Sequence, residues 1–189
     1  MDISYTLIVA LMFITILSFG FANILSSLAE IVNKKNNVSV SNVHLNWILL
    51  LLIIHFNLAW HAVLISTKAE WTYDTFLFIE LGPILAFFTT RILAPPEVSD
   101  KESSTLEYNF ISVRQRFFLI FALIQVWAIG TDFVLKRGFT GSSVFNVLLI
   151  ILALLMMNTR SYQKQFYGVI IAWCLFLGAI ALRGFHIIS

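Results

Sequence analysis

The chain is short of cysteine and charge, and each shortage excludes something. Cys174 is the single cysteine, so neither an intramolecular disulfide nor a cysteine-based zinc framework can form within one chain. Charged residues make up 12% of the 189 positions, where a soluble domain carries about 25%, so there is too little charge to cover a water-facing surface. The formal net charge is only +2 and its basic residues are scattered, which excludes a nucleic-acid footprint. Neither HExxH nor GxSxG occurs, and Ser26, Ser27 and Ser39 have no base recognisable beside them in the sequence, so no catalytic residue is read and the chain is not expected to be an enzyme.

In place of these the sequence has long apolar runs. Hydrophobic residues are 59% of the chain and mean hydropathy is +0.89. Six runs, near 4–29, 43–67, 72–93, 112–135, 142–158 and 165–185, approach or exceed the ~20 residues that a helix needs to cross a hydrocarbon core of about 30 Å. The expected fold is therefore all-α: a polytopic membrane protein with six transmembrane helices in a single domain, 1–189. The stretch "APPEVSDKESSTLEYNFI" at 94–111 reads as a polar linker within it. The first run opens "MDIS", with an acid where a signal peptide needs positive charge, so it is taken as the first membrane helix.

Loop charge sets an expected orientation. Lys34, Lys35, Arg91, Lys101, Arg114, Arg116, Arg160 and Lys164 fall on the first, third and fifth connections, and Lys68, Lys136, Arg137 and Arg183 on the other side. Eight basic residues against four place the odd connections, including the linker, in the cytoplasm and both termini in the periplasm.

The later spans hint at repetition. "WAIGTDFVLKRGF" (127–139) and "WCLFLGAIALRGF" (173–185) share Trp and Arg-Gly-Phe at the same offsets, and Trp60 occupies a similar outer position in the second span. Three repeated helical hairpins would give this pattern; so would aromatic and Arg anchors at the lipid interface. Asp132, followed one turn later by Lys136, suits an interfacial ion pair.

The second span, "VHLNWILLLLIIHFNLAWHAVLIST", is the most polar inside, with His44, His55, Asn57 and His61. His55 falls near the bilayer midplane, where a polar group needs a partner. The third span carries Glu80, then Gly82 and Pro83, where a helix break is expected: proline removes the donor that the Ile79 carbonyl would otherwise receive. At about 1.5 Å rise per residue, Glu80, Asn57 and His61 lie at similar depths. The short connection "KAEW" then makes the two helices antiparallel neighbours, with Glu80 within reach of Asn57 or His61. A carboxylate beside a freed carbonyl suits coordination of a cation or proton carrier; the same Glu80 also suits a static hydrogen-bonded strut.

The segments "EWTYDTFLFIELGPILAFFTTRILAPPE" (70–97) and "LEYNFISVRQRFF" (106–118) resemble those of a group of small multi-pass bacterial inner-membrane proteins, over about 43–167. The resemblance implies a six-helix protein of the bacterial inner membrane. It implies no activity and transfers no functional residue, and the histidines of the second span depart from it.

Three functions are weighed. The first is a small transporter or channel whose polar pathway uses Glu80, His55, Asn57 and His61; so few helices suggest a homo-oligomer. A haem protein would need two facing imidazoles, but three of the four histidines share one helix and His186 lies at the far C-terminus. The third is a non-catalytic accessory or sensor subunit whose polar groups bind its helices together. Transport is preferred. No metal site is read, the cofactor is left open, and the lipid bilayer is the partner that composition implies.

Overall fold

The computed structural model describes residues 3–33, 41–68, 71–94 and 106–185. Six helices account for nearly all of them: α1 (Ile3–Asn33), α2 (Asn42–Lys68), α3 (Tyr73–Leu93), α4 (Leu106–Val134), α5 (Gly141–Asn158) and α6 (Tyr162–Phe185). All six are long and apolar enough to cross a membrane, where a helix satisfies its backbone groups internally because lipid offers none. The protein is thus all-α with six candidate spans. Helix α4 begins at Leu106, so the last part of the expected linker is helical; its other residues, 95–105, lie outside the described residues, as do Ser39 and His186.

The helix ends follow local chemistry. Thr72 caps α3, its hydroxyl accepting the Thr75 N–H at 3.2 Å, and Asp74 in the first turn complements the helix dipole. Thr140 and Ser143 form a reciprocal capping box at the start of α5. At the other end of α5, the Gln165 amide donates to the carbonyls of Met156 at 2.9 Å and Thr159 at 2.7 Å. Helix α4 closes with paired bonds, Lys136 N–H to the Phe133 carbonyl and Arg137 N–H to that of Asp132, both 2.9 Å. This is a Schellman closure with Lys136 in the left-handed position, φ 57°, where glycine is usual.

Around the bundle the helices follow the order α1, α3, α4, α5, α6, α2, each packed on its neighbours and α2 on α1, while α2 also touches α3 and α4. Half of the spanning windows of α2 and α4 is buried, against 28% in α1 and α6, so α2 and α4 are the central helices.

Two expectations change here. Helix α3 packs chiefly on α1 and α4 and only marginally on α2, so the short connection does not make α2 and α3 close partners. Nor is α3 broken at Gly82–Pro83: it runs unbroken from Tyr73 to Leu93. The packing of α3 on α4 has a local physical reason. Gly82 has no Cβ, and the Trp127 ring of α4 lies over it, where a Cβ would overlap the indole. The indole N–H donates to the Phe78 carbonyl at 2.8 Å, which ties α4 to α3 beside Pro83. In return, Phe78 lies over Gly130 of α4, where a Cβ would fall 2.6 Å from the ring tip.

The three tryptophans that suggested a repeat sit in three settings. Trp60 is 66% exposed, Trp127 is 4% exposed in the core, and Trp173 is partly buried. They give the repeated hairpin no structural support.

Candidate functional site

At the end of the bundle where α2, α4 and α6 finish, these helices and α5 enclose a partly open cavity of about 70 Å³. On α2 the lining runs from Ile54 to Ile65, about 16 Å of axis at 1.5 Å per residue, roughly half of a 30 Å hydrocarbon core. The cavity is therefore a vestibule that stops near mid-depth, not a continuous pore. Most of the wall is apolar, including Leu58, Ile124, Ala128 and Phe176, and polar groups enter it from separate helices: Asn57 and His61 from α2, Gln125, Thr131 and Asp132 from α4, Asn146 from α5.

The polar groups fall into two sets. Asp132 heads the first, at the mouth. Its Oδ2 accepts hydrogen bonds from the hydroxyls of Thr140 and Ser143, each 3.2 Å, and its Oδ1 lies 3.9 Å from the Arg137 guanidinium. The carboxylate thus faces the N-terminus of α5, where the helix dipole favours negative charge. The Schellman turn brings Arg137 back over Asp132, so Arg137 is a cation beside it at 3.9 Å.

The second set is deeper and has no such satisfaction. Asn57 and Gln125 make no side-chain hydrogen bond among the described residues, and Asn146, 6% exposed, has an Nδ2 with no partner. A carboxamide offers two donors and one acceptor; three of them from three helices point at one space.

The residues named from sequence divide. Asn57 and His61 line the cavity; Glu80, His55, Gly82 and Pro83 do not. Glu80 is 5% exposed and neither carboxylate oxygen has a hydrogen-bond partner, so the expected bond to Asn57 or His61 is not made. Its helix faces α1 and α4, which removes the geometry on which that bond depended. His55 is fully buried; its Nδ1 lies 2.8 Å from the Leu51 carbonyl and therefore carries the proton. Its Nε2 sits against Gly20 of α1 without a partner, and Phe21 packs edge-on at 5.4 Å. That histidine belongs to the α1–α2 seam.

Sequence reasoning missed Gln125 and Asn146 and placed Asp132 only at the interface. The signal was present: each carboxamide stands alone in an apolar span, and a buried amide in lipid calls for a partner as an ionisable group does. No family model, no curated protein and no solved structure matches the chain, so the resemblance seen in residues 43–167 is joined by no matched family.

Proposed function

We propose that this integral membrane protein is a small transporter whose solute site is the cavity between α2, α4, α5 and α6. The observation that carries the reading is a largely apolar vestibule, reaching about half of the bilayer depth, into which polar groups enter from three helices, among them the Asn146 amide whose Nδ2 has no partner. Membrane interiors tolerate such groups where they bind or pass a solute. The charge bias of the loops supports a mouth on the periplasmic side.

Flux in proteoliposomes tests this. Vesicles carrying the protein should pass at least one member of a panel of monovalent ions and small neutral solutes faster than empty vesicles. Ala128→Leu or Ala179→Leu, which fill the cavity wall, should slow it, while Ile151→Phe, on an exposed face of α5, should not. Wild-type vesicles indistinguishable from empty ones across the panel would sink the transport reading and favour an accessory subunit.

A further inference from the structure

We infer that the solute held in this cavity is a small neutral molecule with both hydrogen-bond donors and acceptors, in the class of urea, short amides and short polyols, gripped by Asn57, Gln125 and Asn146. The inference rests on the transport reading and adds the chemistry of what is carried.

Three observations converge on it. The first is the unspent hydrogen bonding of the amides. Asn146 Nδ2 is a buried donor without a partner, and such a group costs free energy in a low-dielectric interior until something accepts from it. The carboxamides of Asn57 and Gln125 border the same space and are likewise not spent on the protein. Together they present donors and acceptors, the complement of a solute that also has both. His61, also in the lining, already has an interaction of its own.

The second is charge. The acid and the strong base of the lining, Asp132 and Arg137, face each other at 3.9 Å, with Asp132 Oδ2 already accepting from Thr140 and Ser143. No uncompensated carboxylate or guanidinium is left to offset the dehydration of an ion. The third is size. About 70 Å³, where one water needs about 10–15 Å³ of such space, holds a molecule of a few heavy atoms, and a largely apolar wall does not replace an ion's hydration shell.

The test uses the full-length protein in liposomes. Stopped-flow light scattering follows uptake of urea, acetamide and glycerol, and a potential-sensitive dye follows K⁺, Na⁺ and Cl⁻. At least one neutral solute should enter several-fold faster than in empty vesicles. Asn146→Leu and Gln125→Leu should return that rate towards background, with melting temperature unchanged or raised because each removes an amide without a protein partner. Asn146→Asp keeps the shape and replaces the donor, so it should lose uptake too, which covers the case of a Leu variant that does not fold. Ion flux without neutral-solute flux would overturn the substrate class and leave the transport reading standing. Passage of water alone would also overturn the class. No flux of any kind would remove the transport reading itself, and neutral flux untouched in folded Leu and Asp variants would overturn the role given to the amides.

Discussion

Helices α2 and α4 are packed shut at one end and held open at the other. At the closed end, Trp47 is fully buried among Phe117, Phe118 and Phe121, with ring centroids 5.2–5.6 Å apart and edge-on geometry, and Phe110 extends the cluster to His44. At the open end the facing residues are Asn57, Leu58 and His61 against Ile124, Gln125 and Ala128. Side-chain volume accounts for the difference: four large rings fill one end, whereas alanine and aliphatic residues leave room at the other. Lipid tails are as apolar as leucine, so no hydrophobic force between helices closes the gap. The closed end supplies packing, although the buried Trp47 indole N–H there also lacks a partner; what sets the open end apart is that its polar groups border a cavity.

The sharpest way to break that division is Trp47→Ala. It opens a cavity where the rings now touch and should cost about 3–5 kcal/mol, read as a large fall in melting temperature in detergent. Asn57→Leu at the open end should leave stability close to wild type, and equal losses from the two changes would dissolve the contrast. Gly82→Ala comes next. Its methyl group would meet the Trp127 indole, and overpacking of this kind costs about 1–3 kcal/mol, measurable as a lower melting temperature with a shifted tryptophan emission. Thr140→Ala removes the α5 cap and a donor to Asp132, for an expected loss of about 1 kcal/mol and greater hydrogen exchange confined to the first turn of α5. The smallest effect should come from Lys136→Gly, which relieves a left-handed residue while removing the interaction the lysine makes, for a net change within about 1 kcal/mol of wild type. A loss of stability there would show that the lysine side chain outweighs its backbone strain.

How much of this the sequence shows depends on the scale of the question. The spans are legible because a membrane helix announces itself by about 20 consecutive apolar residues, and all six appear close to where those runs predict. Asn57 and His61 are legible as polar residues in an apolar helix. Which helices meet is not. The short turn between α2 and α3 suggested a hairpin with Glu80 facing Asn57, yet α3 lies mainly on α1 and α4, because lateral packing depends on ring-to-glycine fit that no periodicity encodes. Gln125 and Asn146 escaped for another reason. A lone uncharged amide stands out less than a carboxylate or a histidine, though its hydrogen-bond demand in lipid is similar in kind.

The reciprocal seating of Trp127 over Gly82 and Phe78 over Gly130 has a consequence for assembly in the bilayer. Helices in lipid can slide along one another with little change in solvation, so depth must be set by contacts. Here each helix carries one ring and one gap, about a turn apart, and the two matches run antiparallel. A slip of one residue, about 1.5 Å, takes both rings out of their gaps at once and pulls the indole N–H away from the Phe78 carbonyl. The α3–α4 pair therefore carries its own alignment mark, which fixes the vertical position of the two helices against each other.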